Sequence, residues 1–214
     1  LMLSLGLAAG LLLAGCASQT TQPSQYSGFL ADYSQLQPAT SASGAPVMRW
    51  VSPDYKASNY RSVYIEKPVF YPTPTPSDQV SQAVLNEISE YLYQAMRREL
   101  QGSMTVVNQP DMDSLVLRSA ITAVDVSTEG LKVYEVIPIA LVVAAASTAA
   151  GTRDRTSEIY VEMEGIDART SKPMLRVVRK GHGQDLENSS TQLTLKTLKP
   201  ALDVWAADAR AFRP

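Results

Sequence analysis

The sequence predicts an α+β fold, an α/β sandwich in which a mixed, mainly antiparallel sheet carries one long amphipathic helix and a C-terminal helix packed on it. Three observations support this fold class. Apolar residues recur at helical spacing over 80–100 and again over 195–212, and they alternate with polar residues over 61–69, 115–126 and 158–164. The chain has 214 residues, of which 45% are hydrophobic and 19% charged. This composition suits one well-packed core.

Charge and cysteine content narrow the function classes. The formal net charge is -2 and there is no tract rich in Lys or Arg, so the chain offers no basic field for a phosphate backbone and we expect no nucleic-acid partner. A single cysteine excludes an intramolecular disulfide and a metal cluster of several thiolates. We expect a core that is held together by packing alone.

The N-terminal stretch 1–16 reads as a targeting segment. It is uncharged and Leu-rich, it ends in Leu13-Ala14-Gly15-Cys16, and a polar Ser/Thr/Gln/Pro stretch follows. An apolar run before small residues is typical of a signal peptide, and the end of this one resembles the lipobox of bacterial lipoproteins. The prediction is a signal peptide over 1–15, lipidation of Cys16, a flexible tether over 16–25 and one globular periplasmic domain over 26–214. The alternative is a short buried helix whose cysteine is a core residue.

Ala17 bears on which membrane would hold the anchor. In the lipoproteins that this motif resembles, an Asp directly after the cysteine is the usual signal for retention in the inner membrane. Its absence favours a lipid-anchored location on the periplasmic face of the outer membrane.

A short helix is predicted next, over 26–38. Phe29, Leu30, Tyr33 and Leu36 fall on one helical stripe, and Pro38 with the Thr/Ser/Gly run after it would end the helix.

The same segment carries a family resemblance. The phrase YSGFLxDYSxLxP after a lipobox resembles the bacterial lipoprotein family catalogued as domain of unknown function 3313. The resemblance continues through Met48-Arg49-Trp50 and the strand 64–69 to Trp205. It implies an envelope lipoprotein without an assigned activity, so it transfers no catalytic residue and no cofactor.

The clearest helix begins after Ser77 or Asp78 as N-cap and runs to Leu100. Its Met and Tyr members are compatible with a ligand-binding stripe, but a core-facing stripe is the commoner arrangement. A strand over 61–69, which Pro68 ends, precedes this helix, and strands over 104–107 and 115–126 follow it. The last predicted helix starts near Thr191 and keeps its apolar stripe across Pro200, which would kink the helix or mark its start.

A second antiparallel pair is predicted between the strand that contains Ile159 and the one over 174–180, joined by a turn over 167–173. Glu158, Glu162 and Glu164 alternate along the first strand and would share one solvated face. Paired carboxylates can perform acid/base chemistry, but we expect a cross-strand charge ladder with basic residues of the second strand.

The uncharged run that begins at Val136 and ends at Ala150 fits the sheet and helices least well. It is too short to cross a bilayer as a helix. It is either a segment buried under the sheet or a surface that meets a membrane, an envelope protein partner or another copy of the chain.

The sequence gives little sign of catalysis. The single histidine, His182, lies between two glycines, so a histidine metal site or a Ser-His-Asp triad would have only this one member. We predict no catalytic, cofactor-binding or metal-binding residue. Two function classes remain: a non-enzymatic assembly or interaction module of the envelope, and a periplasmic small-ligand binder or envelope hydrolase, which a deep apolar pocket with convergent polar groups would favour.

Overall fold

The computed structural model describes residues 20–76, 80–128, 155–186 and 191–213, without the side chains of 125–128 and 155–156. The fold class is confirmed: two helices lie against an open mixed sheet of eight strands, mostly antiparallel. The strands are β1 Gln37–Thr40, β2 Pro46–Val51, β3 Ser62–Ile65, β4 Val69–Phe70, β5 Thr105–Val107, β6 Ser114–Thr128, β7 Arg155–Asp167 and β8 Pro173–His182. The helices are α1 Gln82–Leu100 and α2 Leu195–Ala211.

The strands follow the order β1-β2-β8-β7-β6-β3-β5, and β4 adds a short parallel pairing to β6. The ladders from β1 through β2, β8 and β7 to β6 are antiparallel, whereas β3 pairs in parallel with both β5 and β6. Pro38 lies in β1, at one edge of the sheet, where a residue without a backbone N–H is tolerated. The sequence did not predict the β1–β2 pair.

The β6–β7 pair is the longest ladder of the sheet and extends beyond it at one end. Its register continues to Thr128↔Arg155. The pairing of β7 with β8 stops at Glu158↔His182, and that of β4 with β6 stops at Phe70↔Ile121. Among the described strands, therefore, only β6 and β7 reach this end, and the connection over 129–154 leaves from it.

Helix α1 begins later than the sequence prediction. Its N-cap is Ser81, whose hydroxyl accepts a hydrogen bond from the N–H of Val84, and 77–79 lie outside the described residues. The core-facing stripe is confirmed, because Leu85, Ile88 and Leu92 are each at most 1% exposed. A buried stripe of this kind contributes to stability by packing.

Helix α2 begins at Leu195, four residues after the predicted start, with Thr194 as N-cap. The helix starts before Pro200 and continues through it. Burial of Leu198 and Leu202, both 0% exposed, offsets the hydrogen bond that the proline removes. A Cβ at Gly181 of β8 would lie 2.8 Å from Ala201 Cβ, so this glycine lets the helix approach the sheet closely.

The sheet has two different faces. Both helices cover one face, and the main core lies between them and the sheet. On the opposite face, which we call the outer face, a smaller cluster forms around the buried side chains of Leu30, Leu36 and Val178.

The helix predicted over 26–38 is wrong. The segment contains a 3-10 turn at Pro23–Gln25, a left-handed Gly28 with φ 89° and no α-helix before β1. Leu30 and Leu36 are buried as predicted, but against the outer face. Local periodicity failed here because hydrogen bonds to the sheet replace those of a helix.

Candidate functional site

Residues 20–36 cross the outer face as an extended strap, which we call the N-terminal strap. The carboxylate of Glu162 on β7 anchors its middle: this carboxylate accepts hydrogen bonds from the N–H of Ser27 at 2.7 Å, the N–H of Leu30 at 3.4 Å and the hydroxyl of Tyr33 at 2.6 Å. Glu162 is 0% exposed. The prediction that Glu158, Glu162 and Glu164 share a solvated face is therefore wrong, because the strap covers Glu162 and, like it, Glu164 is buried.

The cross-strand charge ladder itself is present beneath and beside the strap. Glu164 contacts Arg118 at 3.0 Å and Arg176 at 3.9 Å. Arg176 also reaches Asp32 of the strap at 3.2 Å. At the other end of β7, Glu158 contacts Lys180 at 3.4 Å. These carboxylates are occupied by structural partners, which argues against acid/base work at this face.

Aromatic packing strengthens the attachment of the strap. The rings of Tyr26 and Tyr33 stack within the strap with centroids 4.7 Å apart, and the Arg118 guanidinium of β6 lies over the ring of Phe29 in the strap at 5.7 Å. Burial and the adjacent Glu162 carboxylate raise the pKa of Tyr33 to about 12. The hydroxyl consequently stays protonated, as its hydrogen bond to Glu162 requires.

The strap has a direction. Gln25 donates to the hydroxyl of Tyr160, Ser27 to Glu162, and Asp32 accepts from Arg176, which pairs with Glu164 across the ladder. The strap therefore runs along β7 from its start towards its end. Its first residues lie towards the end of the sheet from which the β6–β7 connection leaves.

Residues 20–25, which the sequence prediction placed in a flexible tether over 16–25, lie against the domain. Thr21 is 2% exposed, and Gln25 contacts the sheet through Tyr160. Sequence composition indicated flexibility because Ser, Thr and Gln bury little apolar area, but burial of Thr21 and the hydrogen bond from Gln25 to Tyr160 hold this segment against the domain. Cys16, 17–19 and the run 136–150 lie outside the described residues.

His182 closes β8 with a side chain that is 65% exposed, and its Nδ1 lies 3.3 Å from the Glu158 carboxylate. Within the described residues, no cluster of three or more His, Cys, Asp or Glu side chains could hold a metal ion. Neither described helix combines the length and apolarity of a membrane span.

A cavity of about 720 Å³ opens on the helix-covered face, and its lining extends from Val161 and Met163 of β7 to Tyr60, which contacts Asp167 at the end of that strand. Its floor is apolar and comes from β3, β6, β7 and β8. The C-terminal ends of both helices and the β1–β2 turn form its walls. The aromatic residues that line it are Tyr55, Tyr60, Trp205 and Phe212. This volume lies within the range of small-molecule sites, roughly 300 to 1,000 Å³.

The charged lining of the cavity is almost entirely basic. Five arginines and one carboxylate, Asp208, are among its described lining residues: Arg49, Arg61, Arg179, Arg210 and Arg213. Arg179 pairs with Asp208 at 2.9 Å, Arg61 reaches Asp113 at 3.7 Å and Arg210 reaches Glu99 at 3.4 Å.

Asp208 closes the cavity wall. Its carboxylate accepts from Arg179, and from the N–H of Ser43 at 2.6 Å and the hydroxyl of Ser43 at 2.9 Å. Burial alone would raise the pKa of Asp208, but the hydrogen bonds from Arg179 and Ser43 bring that pKa below its ordinary value. This carboxylate therefore ties the β1–β2 turn to α2 and β8.

The comparison with protein families identifies the family of this chain. Residues 25–209 match the family described as "Protein of unknown function (DUF3313)". This chain belongs to the DUF3313 family. Over 202 residues it is 46% identical to proteins of Escherichia coli strain K12 and of Escherichia coli O157:H7, each named "Uncharacterized lipoprotein YdcL". The alignment covers 94% of this chain and 91% of each relative. The family resemblance read from the sequence is thus confirmed.

Solved structures resemble the DUF3313 chain more distantly. A PelC dodecamer from Paraburkholderia phytofirmans aligns at 9% identity with a TM-score of 0.40, covering 76% of this chain and 96% of that one. A minor lipoprotein from Acinetobacter baumannii aligns at 11% identity with a TM-score of 0.39, covering 71% and 91%. These low TM-scores support no functional conclusion.

Sequence reasoning missed the cavity. The sequence analysis named Arg49 only within a family motif. Asp208 lies in α2 and Phe212 directly follows this helix, and the apolar stripe predicted for this segment gave no sign of a cavity wall. Five arginines scattered over the chain carry no local signal. Only the fold brings them to one place.

Proposed function

We propose that this chain is an outer-membrane lipoprotein, acylated at Cys16 after removal of 1–15, which acts on the periplasmic face as a non-enzymatic interaction module. The 46% identical relatives that are named lipoproteins support the anchor. The observation that carries the proposal is the docked N-terminal strap. It holds the chain against the domain surface from residue 20 onward, four positions after Cys16, as an anchor that orients its domain requires.

The reach from anchor to domain is short under this proposal. Thr21, which is buried, lies five positions after Cys16, and an extended chain spans at most about 3.6 Å per position, or about 18 Å in total. The end of the sheet where the strap begins would therefore face the membrane. Several acyl chains on one cysteine would make this attachment effectively stable.

The β6–β7 connection leaves the sheet at the same end, at Thr128 and Arg155. We therefore propose that the apolar run from Val136 to Ala150 meets the bilayer or a partner at its surface, which is either an envelope protein or a second copy of the chain. Lipid anchoring would favour such contacts by raising the local concentration of copies.

A binding role accounts for the domain better than catalysis does. The carboxylates that the sequence offered for acid/base chemistry are engaged with the strap or with arginines. The cavity of about 720 Å³ favours the second candidate function, a periplasmic small-ligand binder. Both functions place binding, not bond making, in this domain.

The proposal is tested with single cysteines that carry an environment-sensitive fluorophore on the acylated protein in proteoliposomes. Acylation blocks Cys16, so each introduced thiol is unique. Labels at His182→Cys and Val142→Cys are expected to be quenched by a spin-labelled lipid. A label at Arg61→Cys, whose side chain is 86% exposed at the opposite end, serves as matched control and is expected to be unaffected. Equal quenching of the labels at His182 and Arg61 would contradict the orientation.

Two further measurements test the anchor. The variant Cys16→Ser is expected to leave the outer-membrane fraction for the soluble fraction. Intact mass spectrometry that finds 1–15 retained and the Cys16 thiol unmodified would remove the anchor itself.

A further inference from the structure

We propose that the cavity between the sheet and the C-terminal ends of the helices binds a monomeric anionic amphiphile, a molecule with one carboxylate or phosphate head and an apolar body. The proposal goes beyond the anchoring role, and its chemistry follows from the charges, the aromatic rings and the floor of the cavity.

The charges of the lining select an anion. Among the described residues, three of the five arginines have carboxylate partners, one within the cavity and two outside it. Arg49 and Arg213 contact no described carboxylate. Arg49 lies 5.5 Å from the centre of the Phe212 ring, and Arg213 donates to the backbone oxygen of Phe212 at 2.6 Å. Two cations without an ionic partner among the described residues therefore lie close to Phe212, one over its ring and one at its backbone oxygen.

Helix capping does not explain this concentration of charge. Basic residues often stabilise helix C-termini, and Arg210 and Arg213 stand at the end of α2. Arg49, Arg61 and Arg179, however, come from strands or from a loop. They converge on the cavity in a chain whose net charge is -2. An anionic head group between Arg49 and Arg213 is the natural complement, because a guanidinium offers paired donors to a carboxylate or phosphate.

The remaining lining selects an apolar body. Val161, Val177 and Leu175 contribute to the floor, and the rings of Tyr55 and Phe212 meet edge to face at 6.1 Å beside the arginines. A site of this composition holds a flexible apolar chain or ring and fixes it by one polar end.

The location of the cavity indicates where its ligand would come from. Tyr60 lines it and donates to Asp167 at the end of β7, whereas the strap begins near the start of β7. If that start faces the membrane as proposed above, the cavity faces the periplasm. The ligand would then arrive as a free molecule and not as part of the bilayer.

Tryptophan fluorescence provides the test. The chain has two tryptophans: Trp205 lines the cavity and Trp50 lies on the outer face, so Trp50→Phe makes Trp205 the sole reporter. The mature chain with Cys16→Ser and Trp50→Phe is titrated with dibrominated stearate, with its methyl ester, and with vesicles of brominated phosphatidylglycerol. We expect saturable quenching by the free acid alone. Adding Arg49→Gln, or Arg213→Gln at the exposed C-terminus, is expected to weaken binding by about tenfold or more.

Arg98→Gln, an exposed residue outside the cavity, makes the same charge change and is expected to leave binding unaltered. Absence of saturable quenching, equal quenching by acid and ester, or equal binding by the Arg49 and Arg98 variants would overturn the proposal. Quenching by vesicles as strong as that by the free acid would overturn the proposal that the ligand arrives as a free molecule. None of these outcomes depends on acylation of Cys16, so they stand apart from failure of the anchor.

Discussion

Asp208 joins three segments that are far apart in the chain. It holds the turn that contains Ser43 and the β8 residue Arg179 against α2, and both Asp208 and Arg179 are at most 8% exposed. Loss of one member of a buried ion pair leaves the other charge without compensation, which typically costs about 3 to 5 kcal/mol. The pair is therefore a specific point of vulnerability beside the cavity.

Asp208→Ala is expected to lower the free energy of unfolding by about 3 kcal/mol or more in denaturant melts. Asp203→Ala on the same helix removes a partner of the half-exposed Lys199 and of Tyr91, and it is expected to cost less, about 1 kcal/mol. Equal losses for the two variants would show that burial of the Asp208 pair has no energetic consequence.

Stability should depend on pH through the same carboxyl. Its folded-state pKa lies below the ordinary value of 3.8, so the folded state binds the proton less readily than the unfolded chain. The stabilisation is therefore present above that value and is lost as pH falls through the lower, folded-state pKa. The difference in stability between the parent and Asp208→Ala should shrink on acidification through this range.

At the scale of elements, the sequence predicted most of the fold where local pattern and burial agree. The stripe of α1, the strands β6, β7 and β8 with the antiparallel pairing of the last two, and α2 follow from periodicity. The strap did not, because Leu30 and Leu36 have helical spacing while their backbone partners lie on β7. The burial of Glu162 does not follow from periodicity either. Alternation along β7 identifies the residues of the outer face, but only the docked strap buries Glu162 there.

Ile88→Ala tests the face that α1 buries. Ile88 is 0% exposed, and removal of its side chain leaves a cavity in the main core, with an expected cost of about 2 to 5 kcal/mol. Glu87→Ala, at the neighbouring exposed position, is the matched control and is expected to change the free energy of unfolding by less than about 0.5 kcal/mol. A loss below that figure for Ile88→Ala in denaturant melts would contradict the packing of α1.

For the whole molecule, the strap and the cavity lie on opposite faces of the sheet. The strap crosses the outer face over Glu162, and the cavity lies on the helix-covered face, where Val161 and Met163 line it. Attachment and recognition would thus be separated by the thickness of the sheet. Variants in one region should not alter the other.

The strap also has a consequence for the order of folding. Its contacts join residues that are 129 to 144 positions apart, and they require β7 and β8 to be in place. Closing such long loops costs entropy before any contact forms, so we expect the strap to dock after the rate-limiting step. Tyr33→Phe should then accelerate unfolding, by roughly tenfold for a lost bond to a charged group, and leave the folding rate unchanged.

Stopped-flow refolding and unfolding of Tyr33→Phe measure this directly, with Tyr71→Phe, a 42% exposed tyrosine, as control. A slower folding rate for Tyr33→Phe would show that the strap docks early. The expected order has a consequence for the anchor proposed above. The strap precedes the sheet in the chain but takes its place last, so under that proposal the domain would acquire a fixed orientation towards the membrane only in the final step of its folding.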